Sequence, residues 1–176
     1  MSLHIIIDGY NMIHRSKTLG TVRRDDLQNI RSRLLKKLAA YKKVKRHRIT
    51  VVFDGANAPS VTPSRSRSEG IEIHFSCTGE SADSVIKQMA ELEREKALVV
   101  SSDREITEYA ASRGSAVISA DDFENRISRV LHMDAPDPLF FEKDETQGWI
   151  PEKKKKGPDR RLSKKERKNR LKLVKI

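Results

Sequence analysis

The chain has 176 residues, of which 35% are charged, with a formal net charge of +11 and a pI near 9.9. No apolar run approaches the roughly 20 residues of a membrane span, and a single cysteine, Cys77, cannot form an internal disulfide. These features exclude a membrane protein, a disulfide scaffold and a cysteine-based zinc finger, and they favour a reducing, cytoplasmic location.

Short apolar runs alternate with segments of helical periodicity over the first 133 residues. The first run, Leu3 to Ile7, ends at Asp8, which predicts a strand rather than a secretory signal. The later elements follow in chain order: a helix at 25–42, a strand at 49–53, a loop at 57–70, a strand at 71–75, a helix at 81–96, a strand at 98–100, a helix at 104–113, a strand at 116–118 and a helix at 121–131. This alternation predicts an α/β fold with a mainly parallel sheet and helices on both faces.

Positive charge is concentrated near the C-terminus. Residues 151–176 hold 13 of the 36 lysines and arginines but only 3 of the 25 acidic residues. We therefore predict a globular domain at 1–133, a connecting segment at 134–150 and a basic tail at 151–176 that is disordered on its own. A stretch at 162–174 could form a helix on an anionic partner. The residues predicted to contact nucleic acid are Lys153, Lys154, Lys155, Lys156, Arg160, Arg161, Lys164 and Lys165.

Aspartates follow three of the apolar runs. Asp8 and Asp54 come directly after theirs, and Asp103 follows the third run after two serines. Because parallel strands place their carboxyl ends at one edge of a sheet, we expect these acids to meet there. Glu80 and Asp83 lie at the start of the helix predicted after the strand at 71–75, and they should reach the same edge.

Carboxylates gathered in this way repel one another. Two like charges 4 Å apart cost about 4 kcal/mol at an effective dielectric near 20. Oxygen ligands without histidine or cysteine favour Mg²⁺ or Mn²⁺, and a metal beside a basic arm suggests phosphodiester hydrolysis. Each aspartate could instead be a turn former or helix cap, which is the simpler interpretation for Asp121 and Asp122.

Four short blocks carry a family resemblance. They are Ile5-Ile6-Ile7-Asp8-Gly9-Tyr10-Asn11, Val51-Val52-Phe53-Asp54-Gly55, Glu80-Ser81-Ala82-Asp83 and Val99-Val100-Ser101-Ser102-Asp103-Arg104-Glu105. In this order they resemble the NYN family of metal-dependent ribonucleases, and within it the YacP-like branch, which includes a ribosome-associated endoribonuclease. The resemblance covers residues 3–131 and implies a PIN-like three-layer fold.

The resemblance also implies roles for single residues. Asp8, Asp83 and Asp103 would be the catalytic, metal-binding acids, with Asp54 and Glu80 completing the metal site. Asn11 would be a polar contact of the metal site or of the substrate. The implied reaction is endonucleolytic cleavage of single-stranded RNA, including mRNA on the ribosome.

Other residues of these blocks allow two interpretations. Ser101 and Ser102 could bind phosphate, or they could make only local hydrogen bonds. Arg104 could hold a phosphate or face solvent. Gly9 and Gly55 permit a phosphate to approach the backbone closely, but each could be an ordinary loop glycine.

Two other functions stay open. One is a non-catalytic RNA- or ribosome-binding protein, although such a protein gains nothing from carboxylates that repel the RNA backbone. The other is a phosphatase of the haloacid dehalogenase type, which needs a second aspartate two residues after the first. Tyr10 occupies that position here. The sequence does not indicate an oligomeric state.

Overall fold

The computed structural model of the chain describes residues 3–16, 18–19, 27–55, 64–77, 79–133 and 171–174. Within these ranges the strands are β1 (His4–Asp8), β2 (Arg48–Phe53), β3 (Ser64–Ser68), β4 (Ile71–Phe75), β5 (Ala97–Val100) and β6 (Ala116–Ile118). The helices are α1 (Gly9–Arg15), α2 (Leu27–Lys45), α3 (Ala82–Glu93), α4 (Arg104–Ser112) and α5 (Ala120–Met133). None of the described helices is long and apolar enough to cross a membrane.

The strands form one six-stranded sheet in the order β3-β4-β2-β1-β5-β6. All neighbouring pairs are parallel except β3 and β4, which are antiparallel. The predicted α/β fold with a mainly parallel sheet is therefore confirmed. In the register of the central strands, Ile7 of β1 lies beside Val100 of β5. Asp8 consequently comes level with the loop that follows β5.

Helices cover both faces of the sheet, which gives three layers. Helices α1, α2 and α5 pack on one face with Ile5 and Ile7 of β1. Helices α3 and α4 pack on the other face with Ile6. A strand buried on both faces must be apolar at every position, which explains the unbroken isoleucine run before Asp8.

The predicted loop at 57–70 is wrong in its second half. Residues Ser64–Ser68 form the edge strand β3, which pairs with β4 across a tight turn at Glu69 and Gly70. Both turn residues have positive φ, 49° and 82°, as the two-residue turns of hairpins require. The strand was missed because its alternating serines and arginines include no apolar residue.

Helix α1 is a second feature that the sequence did not predict. It begins at Gly9, directly after Asp8, and has seven residues, of which Met12 and Ile13 are the buried apolar side chains. Such a short element offers no helical periodicity to recognise. Its position matters, because it makes Asp8 both the last residue of a strand and the cap of a helix.

Gly55 lies against the backbone beyond β4. A Cβ atom added to Gly55 would lie 1.7 Å from the carbonyl oxygen of Ser76. The Gly55 N–H also donates to the Ser76 hydroxyl at 2.9 Å. The group that lies close to Gly55 is therefore the chain's own backbone at Ser76.

Replacing Gly55 with alanine should lower the free energy of unfolding by about 1–3 kcal/mol, because the methyl group meets backbone that cannot rotate away. Urea unfolding followed by circular dichroism measures the change. The exposed Lys36 of α2 offers a control, since Lys36→Ala should shift stability by less than about 0.5 kcal/mol. Equal midpoints for Gly55→Ala and the unmodified chain would contradict the clash.

Residues 171–174, which belong to the predicted tail, form a helical turn against the domain. Leu173 packs on the core beside α5, and its carbonyl accepts a hydrogen bond from Arg126. Lys172 is buried and its ammonium donates to the carbonyl of Gly114 at 3.4 Å. Most of 134–176 lies outside the described residues, so the division of the chain at 133 and 150 stays a prediction.

Candidate functional site

Asp8 occupies the carboxyl end of the central strand β1 and is buried. One carboxylate oxygen accepts from the backbone N–H of Asn11 at 3.1 Å, in the first turn of α1. The other oxygen accepts from the hydroxyl of Ser101 at 3.2 Å. These two bonds fix the carboxylate at the edge of the sheet where the strands end.

The loop after β5 connects Asp8 to Asp103. The Ser101 hydroxyl, which donates to Asp8, also accepts from the backbone N–H of Asp103 at 3.1 Å. Asn11 joins the same loop, since its side-chain oxygen accepts from the Ser102 N–H at 2.9 Å. Asp103 caps α4 by accepting from the N–H of Glu105 at 2.7 Å. The two aspartates are therefore held in one hydrogen-bonded unit.

Asp83 lies in the first turn of α3, after the cap residue Ser81. Its pKa is raised above the usual 3.8, mainly by burial and then by the charge of Asp103. The charges of Glu105 and Asp54 raise it further, while Lys87 lowers it. Asp83 therefore lies in the electric field of acids that come from two other strand ends.

The pKa of Asp8 is also affected by neighbouring acids. Burial is the main cause that raises its pKa above 3.8, and the charges of Asp83 and Asp103 add to it. The hydrogen bonds from Asn11 and Ser101 lower its pKa and offset part of that rise. Within the described residues, none of these three aspartates forms an ion pair with a basic side chain.

The aspartates influence one another's pKa, but the described residues do not form a compact metal-binding cluster. In the described part of the chain, no three histidine, cysteine or acidic side chains are spaced to hold a metal ion. Their chemistry nevertheless suits a divalent cation, because the donors are hard carboxylate oxygens and Lys87 offsets only part of their mutual repulsion.

Other predicted site residues lie differently. Glu80 accepts a hydrogen bond from the thiol of Cys77 at 3.7 Å, and its charge acts on His74. It is not among the groups that raise the pKa of Asp8 or Asp83. Arg104 is exposed at the start of α4. The eight predicted tail contacts, from Lys153 to Lys165, lie outside the described residues.

Glu105 and Lys87 also act on the acids, although the sequence does not predict this. Glu105 stands in the first turn of α4 and raises the pKa of Asp83. Lys87 forms an ion pair with Glu105, and its own pKa is raised by that bond and by the charges of Asp83 and Asp103. The available signal was spacing, because Lys87 follows Asp83 by four residues and so lies on the same side of α3.

The family model described as the YacP-like NYN domain matches residues 5–174. A curated relative from Bacillus subtilis (strain 168), named "Uncharacterized protein YacP", is 29% identical over 87 residues, which are 49% of this chain and 51% of that protein. The aligned part thus spans about half the length of that relative. The family match extends past residue 131, where the resemblance in the sequence ended, to the C-terminal turn.

Solved structures show the same fold. Two crystal structures of Rae1 (YacP) from Bacillus subtilis, one of them of a mutant, have TM-scores of 0.64 and 0.62 with this chain. Both are 24% identical to it and cover 76% of it, with 79% and 77% of their own chains matched. At this identity the likeness concerns the arrangement of strands and helices alone.

Proposed function

The chain belongs to the YacP-like NYN domain family, and from this membership together with its acidic edge we propose that it is a divalent-metal-dependent endoribonuclease. The reaction is hydrolysis of phosphodiester bonds in single-stranded RNA. One observation carries the proposal: a buried aspartate, Asp8, has its pKa raised in the field of Asp83 and Asp103 and has no basic partner among the described residues. Such repulsion is relieved when the carboxylates take up protons or bind a cation.

The residues that would hold Mg²⁺ or Mn²⁺ are Asp8, Asp83 and Asp103, together with Asp54, whose charge raises the pKa of Asp83. Glu80 is also one of the predicted metal ligands, but its hydrogen bond with Cys77 makes it a less favoured ligand than the aspartates. When bound, the cation would activate a water molecule and stabilise the charge that develops on the scissile phosphate.

The chain's own residues prepare this site. The backbone N–H of Asn11 and the hydroxyl of Ser101 hold the Asp8 carboxylate in one orientation. Lys87 gives partial compensation for the charge of Asp83 through its position beside Glu105. Arg104 is exposed next to Asp103 and is proposed to contact the RNA backbone, which matches the preference of guanidinium groups for phosphate.

Replacing Ser101 with alanine should reduce RNA cleavage about 10–100-fold, as is typical when a partner that orients a metal-binding group is lost. Ser101 lowers the pKa of Asp8, so its removal should raise that pKa and move the acidic limb of the pH–rate profile to higher pH. A merely structural serine would not produce that shift. Ser32→Ala is a suitable control, since Ser32 is exposed on α2 and its hydroxyl donates to the Gln28 carbonyl of the same helix. An unchanged profile in Ser101→Ala would remove Ser101 from the site.

The proposal is tested with internally labelled single-stranded RNA and DNA, incubated with the full chain and Mg²⁺, Mn²⁺ or EDTA. Metal-dependent internal fragments from RNA would support an endoribonuclease. Products released only from the ends would contradict endonucleolytic cleavage. RNA that is bound but stays intact with both metals would favour the alternative, a non-catalytic RNA- or ribosome-binding protein.

A further inference from the structure

A cavity of about 820 Å³ lies beside the acidic cluster. It is lined by the loop after β5, the end of β6, α5 and the last residue of α1. Ser101 and Ser102 line this cavity and also belong to the hydrogen-bonded unit around Asp8. Its volume falls within the range of about 300–1,000 Å³ that is typical of ligand pockets. A ligand at the acids can therefore extend into the cavity past these two serines.

One side of helix α5 gives the cavity its polar wall. Asp122, Asn125, Arg126 and Arg129 follow one another at intervals of three, one and three residues, which puts them on the same helical face. Arg15, at the end of α1, adds a further cation to the lining. Three arginines against two aspartates, Asp121 and Asp122, give the described lining a net positive charge.

Some of these side chains have partners among the described residues and others do not. Arg126 donates to the carbonyl of Leu173, and Asp122 accepts from the hydroxyl of Ser119 at 2.8 Å. Arg15 and Arg129 are exposed and make no hydrogen bond or ion pair to another described residue. Two guanidinium groups thus remain available in a cavity that adjoins the acids. Guanidinium is well suited to phosphate because its donors form a planar fork.

The remaining lining suits a nucleoside. Val117, Ile118 and Leu173 offer apolar surface on which a base can pack. Asn125 has both a donor and an acceptor for the edge of a base or for a ribose hydroxyl. The cavity therefore combines cations, an amide and an apolar wall, which correspond to the phosphate, the polar edges and the flat face of one nucleotide.

We propose that this cavity binds one nucleotide of an RNA strand next to the bond that is cut at Asp8, with Arg15 and Arg129 contacting its phosphate. This inference rests on the proposed function, because it assumes RNA at the acidic edge. The cavity would be a second binding point for the RNA and would hold the strand on one side of the scissile bond. Phosphate contacts position a strand without selecting its sequence.

The test measures binding of fluorescein-labelled single-stranded RNA to the full chain by anisotropy, in EDTA so that the RNA stays intact. The double variant Arg15→Ala/Arg129→Ala should bind about tenfold more weakly near 0.1 M salt. Its slope of log affinity against log salt should fall by about 0.7, since both arginines contact the same phosphate and each neutralised phosphate on a single strand contributes roughly 0.7. Thermal unfolding verifies that the variant is folded.

A matched control removes the same charge at the opposite edge of the sheet. Lys43 and Arg46 are exposed near the end of α2, before β2 begins, and Lys43→Ala/Arg46→Ala should change affinity less than twofold. Equal losses in the two double variants, or no loss in either, would overturn the cavity as an RNA subsite. A third outcome separates the two proposals. If only the Arg15→Ala/Arg129→Ala variant loses affinity, and the unmodified chain cuts no RNA with Mg²⁺ or Mn²⁺, the subsite stands and the proposed nuclease activity fails.

Discussion

Replacing Asp8 with asparagine should reduce metal-dependent cleavage of single-stranded RNA at least about 100-fold, beyond the 10–100-fold typical of losing an outer partner of a metal site. The same change should raise the temperature of thermal unfolding at pH 7. Asparagine keeps an oxygen for the Asn11 N–H and an amide for Ser101, but it removes a buried charge that Asp83 and Asp103 repel. Asp103→Asn should lose activity in the same way.

The sign of the stability effect follows from the pKa of Asp8, which is higher in the folded chain than the usual 3.8. The folded state therefore holds the Asp8 proton more tightly than the unfolded state. Stability from this group falls as the pH rises from 3.8 through the folded pKa, and the cost is complete above it. The advantage of Asp8→Asn should accordingly be present at neutral pH and vanish below pH 3.8.

Cleavage assays and calorimetric unfolding at several pH values measure the two parts of this prediction. Glu108→Gln provides a control with the same change of charge, because Glu108 is exposed on α4. It should alter neither activity nor the unfolding temperature. Full activity of both Asp8→Asn and Asp103→Asn with Mg²⁺ and Mn²⁺ present would refute the acidic site.

Exchanging the eight predicted basic contacts of the tail for glutamine should weaken RNA binding about 10–100-fold near 0.1 M salt. The substituted residues are Lys153, Lys154, Lys155, Lys156, Arg160, Arg161, Lys164 and Lys165. Neutralising them is preferable to deleting the tail, because Lys172 and Leu173 contact the domain and would be lost as well. The salt dependence should flatten by about 0.7 for each phosphate contact removed.

Anisotropy with single-stranded RNA gives the affinity and its salt slope. Sedimentation with ribosomes, in parallel, tests whether the tail binds ribosomal RNA or substrate. Loss of ribosome binding with an unchanged affinity for the free RNA would assign the tail to the ribosome. An unchanged salt slope and unchanged sedimentation would show that these residues have another role.

The acids at the strand ends were predictable because the signals are local. An unbroken apolar run predicts a strand buried on both faces, and the aspartate that follows marks its carboxyl end. For Asp8 and Asp103 the parallel order of β1 and β5 then brings the two ends together. The order of the four blocks adds the family, which the match over residues 5–174 confirms.

The supporting contacts were not predictable, because they depend on the register between distant strands. From the sequence alone, Ser101 could bind phosphate or make only local hydrogen bonds. Only the alignment of Ile7 with Val100 brings its hydroxyl to Asp8. Glu80 and Glu105 both lie close in sequence to an aspartate of the predicted metal site. The structure places Glu80 beside Cys77, whereas α4 brings the charge of Glu105 to act on Asp83.

The late position of Leu173 in the chain has a consequence for biogenesis. Translation proceeds from the N-terminus, and domains fold as units while the chain is still being made. All the described strands and the aspartates at their ends are synthesised before Leu173, which lines the cavity beside α5. The nascent polypeptide can therefore assemble its carboxylates first, and it completes the neighbouring wall only when the last helical turn emerges and docks.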